Sequence, residues 1–265
     1  MGGVVGQAVR SGFVSAVAAA TELVAIPAHG RVFSRQRQVR LGDVDQRGRL
    51  RLDAVARYLQ DVATDDTADA ELDAGGSATS WVVRRTMIDV ERAAVLDEPL
   101  ELRTFCSGTG RSWAERRTVI SGAGGASIEA VSLWIRIDAT SGRPTGLGER
   151  FTDRYAATAG ERRVSTRLQL PDPPEGINRH PWPIRAVDLD PLRHVNNAVH
   201  WAVVEESLPP HSRRGRAEIE YLRPIEAGTD VTIANNAAVD DGEAVSSWLL
   251  DGDRVLTAAR WSPAS

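Results

Sequence analysis

Hydrophobic and polar residues alternate along much of the chain, as in Leu100-Glu101-Leu102-Arg103-Thr104 and in the run from Ser127 to Trp134. A period of two puts one face of a strand in a core and the other in water, which predicts antiparallel strands with one wet face. Two stretches have helical spacing instead, Leu52 to Val62 and Asn197 to Glu206. Gly146 to Asn178 carries Pro171-Asp172-Pro173-Pro174 and many charges, and is read as a connecting segment with one short helix.

The pattern repeats. Val39-Arg40-Leu41-Gly42-Asp43-Val44-Asp45 precedes the first helical stretch, and Ile184-Arg185-Ala186-Val187-Asp188-Leu189-Asp190 precedes the second. Two strands follow each helix: Met87 to Arg92 with Pro99 to Leu102, then Ala217 to Leu222 with Asp230 to Ile233. Each half ends on a small-residue strand carrying tryptophan, Ala130 to Trp134 and Thr257 to Trp261. Order, spacing and type persist across several elements, so the chain reads as a diverged duplication. Each half is one helix packed on an antiparallel sheet, an α+β arrangement.

Composition is that of a soluble globular protein, with 42% hydrophobic and 26% charged residues. The net charge is −4, and all 32 basic residues are arginine, a balance that argues against a nucleic-acid partner. Residues 12–26 are apolar but interrupted by Glu22 and too short to span a bilayer, so no membrane span is expected. Residues 1–30 read as a leader, flexible or mis-started, with a secretory signal as the alternative that a single cation, Arg10, disfavours. A lone cysteine, Cys106, fits a reducing cytoplasm and has no neighbour that would activate it. His29, His180, His200 and His211 lack metal-ligand spacing, so neither a metal nor another cofactor is expected.

The richest chemistry lies between Asp188 and Trp201, where two carboxylates, His194, Asn196 and Asn197 crowd a strand-to-helix junction. Free N–H groups at a helix start can polarise a carbonyl oxygen, and Asp190 or His194 could activate a water. The same residue types also shape turns and cap helices, and that structural alternative stays open. In the first half, Arg49 takes the place of His194, and Asp43 and Asp45 are read as structural. Asp61, Asp65, Asp66 and Asp69 are read as a solvated helix face.

Asp188-Leu189-Asp190, then His194-Val195-Asn196-Asn197 before an aromatic helix, resembles the C-terminal half of acyl-ACP thioesterases, which are built as a double hot dog. Tyr58 to Ala63 resembles the family's first helix, Trp81 to Arg85 its following strand, and Asp138 to Pro144 the end of its first unit. The resemblance runs from about Arg31 to Trp261. It implies two tandem hot-dog units, each a long helix wrapped by a curved antiparallel sheet: a leader at 1–30, units at 31–145 and 180–265, and a connector at 146–179. It also implies hydrolysis of acyl-ACP, or of the CoA thioester, by a monomer or homodimer.

Of the family's site, Asp190 and His194 match the Asp and His, whereas the Asn falls on Leu192 and the strand Glu on Pro224. Leucine cannot hydrogen-bond and proline lacks an amide donor. The expected catalytic set is therefore Asp190, His194 and Asn197, with Val195, Asn196 and Trp81 binding substrate. Glu220 lies four residues along a strand from Pro224 and stays outside this set. Arginine pairs such as Arg84-Arg85 and Arg213-Arg214 could steer an acidic carrier protein or CoA phosphates, or be plain surface. Two alternatives remain: an acyl-thioester binding protein with a decayed site, and a hot-dog enoyl-thioester hydratase, whose Asp-to-His spacing of five differs from the four and six found here.

Overall fold

The computed structural model describes residues 22–72, 79–208, 214–236 and 244–264. The first part of the leader, His211 and Arg213 lie outside them. The elements are β1 (Phe33–Gln38), α1 (Leu52–Asp69), β2 (Thr79–Arg92), β3 (Pro99–Thr109), β4 (Trp113–Gly122), β5 (Ser127–Asp138), α2 (Glu149–Ala159), β6 (Arg179–Pro181), α3 (His200–Ser207), β7 (Gly215–Tyr221), β8 (Val231–Asn235), β9 (Val245–Asp251) and β10 (Arg254–Pro263). Short 3₁₀ turns, Leu41–Asp43 and Ala186–Asp188, precede α1 and α3.

The strands form one sheet in the order β1-β3-β4-β5-β2-β7-β10-β9-β8-β6. Read from the middle outward the two halves have the same order, as a duplicated unit requires. The seam is the antiparallel pair β2·β7, with Arg85 opposite Glu220 and Val90 opposite Gly215. Both helices bury an apolar stripe against the sheet: Leu52, Val55, Leu59 and Val62 from α1, and Trp201 and Val204 from α3, share one core with Ile88, Ile128 and Ile219. The helix of the second unit has eight residues against eighteen in the first.

Helix α1 runs a full two turns beyond the expected Val62, because a carboxylate occupies the next core position. Asp66 is not a solvated charge. It is fully buried, accepting from Arg31 Nε (2.7 Å), Arg116 Nη1 (2.6 Å) and the Tyr155 hydroxyl (2.8 Å). Its neighbours Asp61, Asp65 and Asp69 do face outward, each paired with an arginine on or before β1: Arg37, Arg35 and Arg31.

The connecting segment contains the expected helix, α2, which seats Phe151 and Tyr155 on a small core with Cys106. Burial pushes the Cys106 thiol up to about 11, so it stays protonated and inert. Beyond α2 the segment is strapped across the sheet. Trp113 Nε1 donates to the Val164 carbonyl, Arg85 to those of Ser165 and Arg167, and Trp248 Nε1 to that of Pro171. Glu220 accepts the Gln169 and Leu170 amides at 2.6 and 3.1 Å. Side chains alternate along β7, so Glu220 faces this strap while Ile219 and Tyr221 face the helices.

Candidate active site

The loop before α3 repeats the loop before α1 residue for residue at an offset of 145: Asp45 with Asp190, Arg49 with His194, Leu52 with Asn197, Gln60 with Glu205. In both, the aspartate holds a tight turn. Asp45 Oδ1 accepts the amides of Arg47 and Arg49 at 2.8 and 2.9 Å; Asp190 Oδ1 accepts those of Leu192 and His194 at 2.9 and 3.1 Å. The third turn residue has positive φ in each, Gly48 at 75° and Arg193 at 64°. The structural role of Asp-x-Asp is thus present in both units, and the two turns are told apart by what else differs.

Two differences stand out. Asp45 Oδ2 is bound by Arg49 Nε at 3.0 Å, whereas Asp190 Oδ2 takes no hydrogen bond from the described residues, His194 engaging Asp190 only through its backbone. The Leu52 amide donates to Glu205 Oε1 at 2.5 Å, across from the other unit, whereas its counterpart, the Asn197 amide, has no partner among the described residues. The second unit keeps both groups free. Glu205 is largely buried, which pushes its carboxyl above the usual range while the Leu52 amide pulls it partly back.

The expectation that amides from Val195 to Asn197 are available narrows to Asn197. Val195 is buried in the core of the second unit and its amide donates to the Ile225 carbonyl (2.8 Å); the Asn196 amide donates to Asp188 (2.8 Å). The Asn196 side chain caps the turn by accepting from the Ala198 amide at 2.9 Å. Tyr221 holds the Asn197 backbone, its hydroxyl donating to the Asn197 carbonyl at 3.1 Å and accepting from Trp201 Nε1 at 3.0 Å.

Asn197 lines a crevice of about 20 Å³ between the units, with Gln60, Leu59, Val83, Trp134 and the buried Thr86–Ser132 hydroxyl pair around it. That volume admits one water. The crevice adjoins a groove of about 760 Å³ that shares Gln60 and Ala198 with it and is edged by Asn196 and by Arg37, Arg40, Arg57 and Arg185, of which Arg37, Arg57 and Arg185 are paired with Asp61, Asp53 and Asp188 of the same lining. Trp81 lines neither space: its ring packs tilted against Phe151 of α2, 5.5 Å between ring centroids. Asp190 and His194 line neither space, although their loop leads directly into Asn197. Leu192 and Pro224, the departures from the family pattern, are exposed. Sequence reasoning does not single out Gln60, which lines both spaces, because that placement depends on a contact between units; its correspondence to Glu205 is the available signal.

The family model for the acyl-ACP thioesterase N-terminal domain matches residues 30–155, and that for the C-terminal domain matches 172–260. The chain belongs to the acyl-ACP thioesterase family. An uncharacterised protein of Mycobacterium tuberculosis is 32% identical over 240 residues, 89% of this chain and 94% of that protein. The fold is shared with the 12:0-ACP thioesterase of Umbellularia californica (TM-score 0.71, 21% identity, 90% of this chain and all of that one). It is shared also with an acyl-ACP thioesterase of Bacteroides thetaiotaomicron (TM-score 0.73, 16% identity, 87% and 97%). As an acyl-ACP thioesterase the chain is a thioester hydrolase with a double hot-dog fold. No described helix is long and apolar enough to cross a membrane.

Next to the site, His200 opens α3 with its Nδ1 2.8 Å from Thr257 Oγ1. Burial pushes its imidazole down to about 4. The unfolded chain, with an imidazole near 6.5, then binds the extra proton as pH falls, so this contribution is full above pH 6.5 and lost between 6.5 and 4. The loss is roughly 3 kcal/mol. His200→Gln is expected to flatten the fall in urea midpoint between pH 7.5 and pH 5; an equally steep fall in the variant would contradict this assignment.

Proposed function

We propose that hydrolysis takes place in the second unit, at the turn leading into α3, on the thioester of acyl-ACP, with the CoA thioester as a second donor. The observation that carries the proposal is the free Asn197 amide. Its counterpart at Leu52 already holds a carboxylate oxygen, which supports an oxygen-binding role for an amide in this position.

In this reading the acyl thioester enters from the groove, and the exposed Arg40 attracts the phosphate common to both donors, Arg185 being held by Asp188. The acyl chain needs more room than the crevice now offers, so side chains such as Trp134 and Leu59 yield to it. The carbonyl oxygen takes the Asn197 N–H. Asp190 Oδ2 removes a proton from the attacking water, and the tetrahedral oxyanion forms on Asn197. Collapse expels the thiolate, which takes the proton back from Asp190 and leaves as the thiol, with the fatty acid as the other product. His194 shapes the Asp190 turn through its backbone. Since both units contribute walls to the site, one chain suffices for activity in this reading, with the cytoplasm as its place of action.

The test is free-thiol release from C8 to C18 acyl-ACPs beside the matching acyl-CoAs. Release from acyl-ACP is expected. Saturable binding without release would favour the non-catalytic alternative, and reversible hydration of an enoyl thioester the hydratase.

A further inference from the structure

Resting on that reading, we infer that Gln60, from the first unit, is a catalytic residue of the second unit's site: its carboxamide Nε2–H is the second donor to the oxyanion. Gln60 stands eight positions after Leu52 on α1, and Glu205 eight after Asn197, so each helix directs this position at the turn that opens the other. The reach is seen in one of the two crossings, where Glu205 Oε1 lies 2.5 Å from the Leu52 amide. In the other crossing Gln60 and Asn197 line the same crevice.

The residue types explain why only one crossing is open. Glu205 Oε1 accepts the Leu52 N–H, so that amide has nothing left for a substrate oxygen. A carboxamide can donate. A carbonyl oxygen seated on the Asn197 N–H meets Gln60 Nε2–H from the opposite side, and the two donors together form an oxyanion hole that spans the units. Both residues line the crevice before substrate arrives, and donors held in this way strengthen as charge develops on the oxygen.

Three variants test this in the full chain, with turnover and binding measured separately on acyl-ACP and on a ketone analogue that replaces the thioester sulfur by CH2. Gln60→Ala is expected to lower kcat about 100-fold, the cost of one oxyanion donor, with little change in KM or analogue affinity. Gln60→Glu is expected to be slower still, because its carboxylate occupies the Asn197 amide as Glu205 occupies that of Leu52. Glu205→Gln, the reverse exchange in the closed crossing, is expected to leave turnover unchanged. Gln60→Ala within threefold of the wild-type kcat, or Gln60→Glu as active as Gln60→Ala, would overturn the inference while leaving the hydrolase itself intact. Absence of turnover in the wild type would instead sink the underlying reading.

Discussion

Asp190→Asn is expected to lower thiol release from acyl-ACP by about 10³-fold, within the range that loss of a general base produces, while the protein folds normally. The asparagine oxygen can still accept the Leu192 and His194 amides that Asp190 Oδ1 accepts now, so the turn survives. What disappears is the proton acceptor at Oδ2. The matched control is Asp45→Asn, which makes the same exchange in the turn of the first unit, where Oδ2 is bound by Arg49. It is expected to leave turnover unchanged. Full activity in Asp190→Asn would remove Asp190 from the chemistry and leave it a turn residue like its counterpart.

The largest effect on stability is expected at Asp66. Burial works against the charge of Arg116, and the Asp66 carboxylate more than offsets it, holding the guanidinium above the ordinary arginine range. Asp66→Ala leaves Arg116 without its counter-charge and strands the Tyr155 hydroxyl, a loss of about 3–5 kcal/mol for a broken buried pair. At about 2–4 °C per kcal/mol for a chain of this size, the melting temperature should fall by roughly 6–20 °C. Asp65→Ala, which removes an exposed pair with Arg35, is expected to stay within about 0.5 kcal/mol. Equal melting temperatures for the two variants would mean that the Asp66 contacts add nothing over exposed ones.

These two residues mark what could and could not be read from the sequence. The duplication, the antiparallel strands and the two helices follow from local periodicity and repeat order, and the match to the family rests on the same ordered segments. Asp190 and Asn197 stand out as candidates because polar residues crowd one strand-to-helix junction. Asp66 was not. A carboxylate among other carboxylates looks solvated, and only contacts with Arg31, Arg116 and Tyr155, 35 to 89 residues away, bury it. Glu220 is a similar case, a strand carboxylate that could have faced either side until β7 was placed in the seam and the connector laid over it. Val195 and Asn196 show the reverse error. Their amides belong to a helix start in sequence, but pairing with Ile225 and Asp188 consumes them. Trp81 was grouped with the site through the family's strand, and α2, whose packing no local pattern specifies, draws it away.

The most direct test of the account is the structure of the protein with the ketone analogue of acyl-ACP bound. The account predicts the carbonyl oxygen within hydrogen-bond distance of the Asn197 amide, Asp190 Oδ2 facing the carbonyl carbon, and Glu205 still on Leu52. A carbonyl oxygen on the Leu52 amide with Glu205 displaced, or one bound away from both turns, would contradict it.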